Sequence, residues 1–403
     1  MFLFLVICFF LPQNKPSHLA PLKSKYFADI DNKKLNPLPI VDNKINVRFM
    51  SMCWFINCVD VQEVCFVDGE KYDLNLSRHH PIVDTHMQVY HDPDIVDTNY
   101  VTWVDTPNTP RVLINPESFL NSRCAQYEEC VNRFHWVIST SVGDEGMWPY
   151  FLPGSIHSSF LSDIKKVDFQ QEVLNPKLMF RREDQLEYES NATFTEPYKP
   201  AIASWFTSNC QSTKYVQREQ YVMELMKHIK IDSYGACAHN RDLKNNNRFD
   251  PDQKSRILSK YKFYFSFENS YCRGYHSEKS FQCLQNNVVP VMMTHPDNLK
   301  LMPRGSYIFV GDFKSAKELA EYLTKLENDD VEYQKYFTWK SDPVILKEWY
   351  DYLVSFYGNA SPYCKLAELY INWIKQGGWT LSKSRPLKNV CLRADYFPIL
   401  SKQ

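Results

Sequence analysis

The second half of this chain predicts an α/β fold, and three observations carry that prediction. Residues 261–291 (YKFYFSFENSYCRGYHSEKSFQCLQNNVVPV) run as an apolar stretch, a polar loop, a mixed stretch and a second apolar stretch, the order strand, loop, helix, strand. Residues 217–229 put Tyr221, Val222, Leu225, Met226 and Ile229 on one helical face. Ser315 and Glu318 form a capping-box pair, with Leu319, Tyr322, Leu323 and Leu326 behind it at helical spacing.

Taken in order, residues 1–12 are an apolar N-terminal segment, and residues 13–45 are polar, proline-dotted and rich in Lys and Asn, a stem or linker. A first domain over 46–190 has strand candidates at 47–55, 87–90, 111–115 and 134–139, and its charged end, from 155 on, includes the linker to the second domain. A second domain over 195–345 opens with a strand candidate at 201–206. The helix at 217–229 follows, then a run at 230–234 leading into Gly235, and a polar loop at 241–252. The strands at 261–267, 288–293 and 307–310 complete it. The tail, 346–403, is helical and carries Trp349, Tyr350, Trp373 and Trp379, which predict packing back across the second domain.

The bulk numbers bound the function. At 403 residues the chain has room for two domains, and 15% aromatic content supplies large cores. A net charge of -1 gives no reason to expect a nucleic-acid partner. Twelve cysteines without a CxxC pair argue against zinc ribbons and for a few disulfides beside buried thiols. Sequons at Asn75, Asn191 and Asn359 are candidate glycosylation sites, and with the cysteines they point to the secretory pathway. The opening MFLFLVICFFLP has an apolar run of ten residues from Phe2 to Leu11. A membrane-spanning helix needs about 20. No basic region precedes the run and no small-residue cleavage site follows. A weak signal peptide, the remnant of a signal anchor and a displaced start all remain open.

In an open α/β sheet, ligands bind at the carboxyl ends of the strands, beside helix N-termini. Lys279 stands where the helix after the first strand of the 261–291 unit should begin, which suits a phosphate, and Glu278 before it suits sugar hydroxyls. The whole stretch resembles the donor-binding motif of the α1,3-fucosyltransferase family (glycosyltransferase family 10), which runs roughly FENS-x3-DY-x-TEK and continues into a VPV strand. Further segments match around it. Glu117 in RVLINPESFLNS resembles the family's general base. Residues 132–150 (NRFHWVISTSVGDEGMWPY) resemble FNWT-x-SYR-x-DSD-x3-PYG through Phe134, Trp136, Ser139, Asp144, Pro149 and Tyr150. Ser208-Asn209-Cys210 followed by Arg218 resembles the family's SNC and its phosphate-contacting arginine, and Asp232 to Cys237 resembles VD-x-YG-x-C.

The resemblance covers roughly residues 100–340, and it implies a GT-B architecture, two facing Rossmann-like domains. It implies an inverting fucosyltransferase that takes GDP-β-L-fucose as donor and forms an α1,3 linkage on a glycan or glycoprotein. Protein O-fucosylation and a catalytically degenerate binding protein are the alternatives. The implied base is Glu117. The implied donor contacts are Arg218, Tyr234, Gly235, Lys262, Asn269, Tyr275, Glu278 and Lys279. Cations rather than a metal would hold the leaving diphosphate, so no cofactor is required and a divalent ion is at most stimulatory. The metal-binding D-x-D alternatives, Asp29-Ile30-Asp31 and Asp92-Pro93-Asp94, read as turns. The family's membrane anchoring implies a single-pass type II Golgi protein with a luminal catalytic domain, the endoplasmic reticulum being the alternative. Paired cysteines near the family's C-terminus make Cys364 and Cys391 a candidate pair. Three departures stand out in the central motif: Gly274 replaces an Asp, Ser277 replaces a Thr and keeps the hydroxyl, and Asn286-Asn287 replaces an Ala-Gly pair before the second strand. Elsewhere Thr140-Ser141 replaces a Tyr-Arg pair and Phe119 replaces a Pro.

Overall fold

The computed structural model of the protein describes residues 37–51, 60–92, 95, 108–124, 127–140, 146–147, 201–210, 216–242, 253–358, 361–377 and 391–399. The apolar segment 1–12, most of the stem, Asp29-Ile30-Asp31, Trp379 and two of the sequon asparagines, Asn191 and Asn359, lie outside the described residues. The chain divides into two compact units, Met1–Tyr150 with Phe356–Val390, and Phe151–Ser355 with Cys391–Gln403. The first unit contributes β1 (Lys44–Phe49), β2 (Val61–Val67), β3 (Glu70–Ser77), β4 (Met87–His91), β5 (Arg111–Asn115), α1 (Glu128–Val131), β6 (Trp136–Ser139) and β7 (Gly146–Met147). The second contributes β8 (Ala203–Trp205), α2 (Arg218–Leu225), β9 (Ile231–Ser233), α3 (Gln253–Leu258), β10 (Phe263–Phe267), α4 (Glu278–Gln285), β11 (Val289–Met293) and β12 (Ile308–Phe309). Then come α5 (Ala316–Glu327), α6 (Asp330–Gln334) and α7 (Pro343–Tyr357), and α8 (Cys364–Lys375) belongs to the first unit.

Each unit is an α/β sheet, the class the sequence predicts. In the first, the order is β2-β3-β1-β4-β5-β6-β7, and every pairing is parallel except the β2–β3 hairpin. Strands β4, β5 and β6 are buried along their whole length, as inner parallel strands must be when both faces are covered. The hairpin turns at Asp68-Gly69, both at positive φ, which is what a two-residue turn between twisted strands requires. The helix α8 covers one face of this sheet. Its Leu366, Ala367, Tyr370, Ile371 and Trp373 pack with Ile45, Val47, Leu74 and Leu76. So the tail does not simply pack back on the second unit. Its apolar stripe fits the first sheet, and a disulfide from Cys364 to Cys65 fixes it there. Cys391 pairs instead with Cys272, which corrects the expected Cys364–Cys391 bond. Cys124–Cys130 and Cys210–Cys237 are also joined, and Cys283 is a buried free thiol.

In the second unit all pairings are parallel in the order β12-β11-β10-β8-β9. Alternation along β10 sorts its side chains. Phe263, Phe265 and Phe267 enter the large core shared with α2 and α5, while Tyr264 faces Leu258 of α3 and Cys283 of α4. Helix α5 starts as its sequence promised: the Ser315 hydroxyl accepts from the Glu318 N–H, and Glu318 reaches back to the Lys314 N–H at 2.7 Å.

Non-reducing peptide mapping of the purified protein should recover Cys65–Cys364 and Cys272–Cys391 peptides and alkylate Cys283 only after unfolding. A Cys364–Cys391 peptide would contradict this arrangement.

Candidate functional site

The second sheet reverses direction between β8 and β10. The chain runs from β8 outward to β9, then returns to the other side of β8 for β10, β11 and β12. Loops leaving the carboxyl ends of two such strands part to opposite faces of the sheet and open a crevice, the usual ligand position in this fold class. Here residues 206–210 leave β8 and residues 268–277 leave β10.

Arg218, the first residue of α2, joins these two loops. One guanidinium nitrogen donates to the Phe267 carbonyl at 2.9 Å and the other to the Asn209 carbonyl at 3.0 Å. The side chain is buried, which lowers its pKa, and the Glu268 carboxylate acts against that. Its Nε–H has no partner among the described residues. Arg218 therefore sits behind the crevice as a charged strut between backbone carbonyls.

Glu268, the residue after β10, is the centre of the site. Its carboxylate is 1% exposed. It accepts from the Ser277 N–H at 2.8 Å, from the Ser277 hydroxyl at 2.8 and 2.9 Å, and from the Lys279 ammonium at 3.3 Å. Burial alone would raise its pKa. Lys279, His276 and the Ser277 bonds outweigh burial and hold it below the ordinary carboxylate range. Ser277 is the N-cap of α4, so Glu268 orients the start of that helix as well as the lysine in its first turn. The Lys279 ammonium also donates to the Ser277 hydroxyl at 2.7 Å and lies 3.8 Å from the Glu278 carboxylate. An ammonium held this way at a helix N-terminus offers charge and dipole together to an anion.

The loop carrying Tyr275 and the residues around it is pinned by Asn298, which follows β11. Asn298 Nδ2 donates to the Cys272 carbonyl, the Tyr275 carbonyl and the Thr294 hydroxyl, and its Oδ1 accepts from the Gly274 N–H at 2.7 Å. Gly274 has φ +85°, so the departure from Asp puts the one residue without a Cβ where the backbone turns left-handed. Tyr275 is buried, and Asn269 is half-buried with its side-chain oxygen accepting from the Ser270 hydroxyl.

Sequence reasoning reached Lys279, Glu278, Tyr275, Asn269 and Arg218, and the structure brings all five to these two loops. Three other residues behave differently. Lys262 enters β10 at its amino end, away from this edge. Its ammonium donates to the Glu327 carbonyl at 2.8 Å and the Asp330 carboxylate at 2.6 Å, over the Tyr333 ring. It caps the carboxyl end of α5 and is not a donor-site cation. Gly235 is needed for a backbone contact within the protein. A Cβ there would meet the Thr207 carbonyl oxygen at 1.9 Å. Tyr234 stacks on Phe206 with centroids 4.6 Å apart, and its hydroxyl pairs with Tyr261, so one ring face and the hydroxyl are occupied. Glu268 and Asn298 were missed. The FENS stretch names Glu268, but nothing in its spacing says that the carboxylate turns inward toward Lys279.

In the first unit, Glu117 is half-buried just past the carboxyl end of β5. Its N–H donates to Asn115 Oδ1 at 3.1 Å, and its carbonyl accepts from the Thr140 hydroxyl at 3.0 Å. Asp92 is fully buried and accepts from the Ser122 hydroxyl and from the Arg123 and Cys124 N–H groups, so its carboxylate holds a turn; Asp94, the second carboxylate of its D-x-D, lies outside the described residues. Asn75 lies inside β3, between β2 and β1, with its amide 3.4 Å from Asn46 Oδ1, a poor place for a bulky surface glycan. Among the described residues, the cluster Cys210, Glu219 and Cys237 has ligand atoms within 4.8 Å of one another, but the two sulfurs are bonded to each other and are not thiolate ligands.

His276, directly before the N-cap, packs edge-on to Phe281 at 4.9 Å, the position an apolar residue normally holds in a hydrophobic staple. It is 1% exposed, both ring nitrogens lack partners among the described residues, and burial first of all pushes its pKa down to about 4. The unfolded chain binds this proton near the ordinary value of 6.5 and the folded chain does not. Stability is thus intact above about pH 6.5 and falls as pH drops toward about 4, by about 3 kcal/mol. The variant His276→Leu should show a shallower loss of stability between those two pH values in denaturant titrations. Equal slopes for the two proteins would refute the assignment.

With this geometry in hand, comparison with known proteins is direct. Residues 196–372 match the family "Glycosyltransferase family 10 (fucosyltransferase) C-term". The chain is 38% identical over 174 residues to glycoprotein 3-alpha-L-fucosyltransferase A of Drosophila melanogaster, a match covering 42% of this chain and 32% of that protein. It is 43% identical over 145 residues to GDP-fucose protein O-fucosyltransferase 3 of Xenopus tropicalis, covering 35% of this chain and 30% of the relative. Against an alpha-(1,3)-fucosyltransferase of Caenorhabditis elegans it is 36% identical over 141 residues, 35% of this chain and 31% of the other. The chain thus aligns with about a third of the length of these relatives. A crystal structure of an alpha1,3-fucosyltransferase with GDP-fucose superposes with a TM-score of 0.49 at 18% identity, over 89% of this chain and 96% of that one. The matched residues contain the strut, the buried carboxylate and the lysine in the first turn of α4, so over 196–372 this chain is similar to the C-terminal domain of glycosyltransferase family 10.

Proposed function

We propose that this protein is an inverting fucosyltransferase that uses GDP-β-L-fucose and forms an α-linked fucose on a glycan hydroxyl. The observation that supports it most is the Glu268–Ser277–Lys279 arrangement at the switch point of the second sheet. A diphosphate placed there meets an oriented ammonium and the N-terminus of α4, and Glu278 at the same helix start suits the sugar hydroxyls. In this scheme Glu117 takes the acceptor hydroxyl proton, the acceptor oxygen bonds to the fucose anomeric carbon, and the bond from that carbon to the β-phosphate oxygen breaks. GDP leaves with the electron pair, and its charge is balanced by Lys279 and the helix dipole. Arg218 acts through the loops it holds. No metal is needed in this scheme, and a divalent ion is at most stimulatory. We propose a Golgi-membrane location with a luminal catalytic domain, a reading that the disulfides support.

A second acceptor class has specific support. Several relatives at 41–43% identity carry the name GDP-fucose protein O-fucosyltransferase 3, and the match to them is as close as to the glycan-modifying relatives. A hydroxyl of a protein is then the acceptor.

Calorimetric titration in EDTA should show binding of GDP-fucose in preference to GDP-mannose and UDP-galactose. In a transfer assay with glycan and protein acceptors, Glu117→Gln should lose at least 100-fold in turnover, the usual size of a general-base contribution, and keep its GDP-fucose affinity. Selective binding without transfer to any acceptor would favour a binding protein. Failure to bind, or binding only with added metal, would overturn the proposal.

A further inference from the structure

The departure Thr140-Ser141, where the family pattern has Tyr-Arg, removes a positive charge that the resemblance implies. The structure gives the first of these residues a different task. Strands β5 and β6 are parallel neighbours in register, Asn115 opposite Ser139. Glu117 lies two residues beyond Asn115, and Thr140 lies one residue beyond Ser139. Asn115 Oδ1 takes the Glu117 N–H, and the Thr140 hydroxyl donates to the Glu117 carbonyl. Both gripping side chains are buried, Asn115 at 0% and Thr140 at 1%, while Glu117 is half-buried.

The grip continues past Glu117. The Ser118 carbonyl accepts from the Asn121 and Ser122 N–H groups, and the Ser118 hydroxyl accepts from Asn121 Nδ2 at 3.2 Å. Ser122 is in turn bonded to the buried Asp92 carboxylate at 2.8 Å. Pro116 fixes its own φ on the other side. The peptide planes on both sides of Glu117 are therefore tied to strand ends and to a buried carboxylate.

We infer that Thr140 is a positioning residue for Glu117: its hydroxyl, bonded to the Glu117 carbonyl, sets the backbone from which the carboxylate is presented to the acceptor. The inference rests on the proposed role of Glu117 as base. A bond of this kind changes turnover through geometry, because small displacements of a reacting group cost large factors in rate. It leaves donor binding alone, since the donor residues named above all belong to the second unit.

Thr140→Val keeps the shape and removes the hydroxyl. It is expected to lower kcat about tenfold with KM for GDP-fucose within twofold of the parent, and Thr140→Ser, which restores the hydroxyl, should recover most of the loss. A near-ultraviolet circular dichroism spectrum matching the parent's, with hydrogen exchange in strands 44–77 and 111–139 unchanged, certifies that the first unit of each variant is folded. If Thr140→Val does not fold, Thr140→Ala compared with Thr140→Ser carries the same contrast. Glu117→Gln is measured beside them. If Glu117→Gln loses turnover while Thr140→Val matches the parent, or if Thr140→Ser is as impaired as Thr140→Val, the positioning role is wrong. If Glu117→Gln itself keeps full turnover, the reading of Glu117 as base falls, and the inference falls with it.

Discussion

A carboxylate buried at the carboxyl end of the central strand is the constraint on which the second unit depends. Glu268 cannot stay charged at 1% exposure without partners, and unpaired it would cost several kcal/mol. Its partners are all in the next ten or so residues: the Ser277 N–H and hydroxyl and the Lys279 ammonium. Satisfying the carboxylate therefore fixes where the loop must return and where α4 must begin. The lysine in the first turn, which a helix dipole alone would disfavour, is held in place by the same charge. The site is thus an electrostatic arrangement assembled by folding, with an ammonium aimed before any ligand arrives.

The elements around it serve the same end by different means. Arg218 ties the loop after β8 to the last carbonyl of β10, so that the two walls of the switch point share one cation. Asn298 holds three groups of the loop after β10 and the Thr294 hydroxyl with its one amide, and Cys272–Cys391 fastens that loop to residues 391–399. The aromatic core behind β10, with Phe263, Phe265 and Phe267 on one face, gives these polar loops a rigid base. In the first unit the same logic operates at smaller scale. Asp92, fully buried, gathers one hydroxyl and two N–H groups and anchors the far end of the turn that carries Glu117.

Much of this could be read from the sequence because local chemistry dictated it. The strand, loop, helix and strand of 261–291 sit where periodicity and turn residues put them, and Ser315 caps its helix as the Ser-x-x-Glu pattern demands. Other features depend on where distant residues meet. Lys262 and Glu268 flank one apolar run, and only the direction of β10 in the sheet decides that Glu268 is at its carboxyl edge and Lys262 at the other. Cysteine connectivity cannot be deduced from spacing, and the bond from Cys364 went to a strand 299 residues earlier. Asn298 looks like any loop asparagine until its loop is folded against 272–275. The hairpin of β2 and β3 had a readable signal in Asp68-Gly69, but its strands mix Glu, Lys and Asp with apolar residues because one of them is an edge.

The central claim is that a nucleoside diphosphate is held at the switch point between β8 and β10, over the Glu268-oriented lysine. Amide hydrogen exchange of the purified protein in EDTA, with and without saturating GDP, locates the ligand directly. The account predicts slowed exchange within 206–210 and 268–279, with the strands 44–77 of the first unit unchanged. Binding of GDP with protection confined to other segments would contradict it.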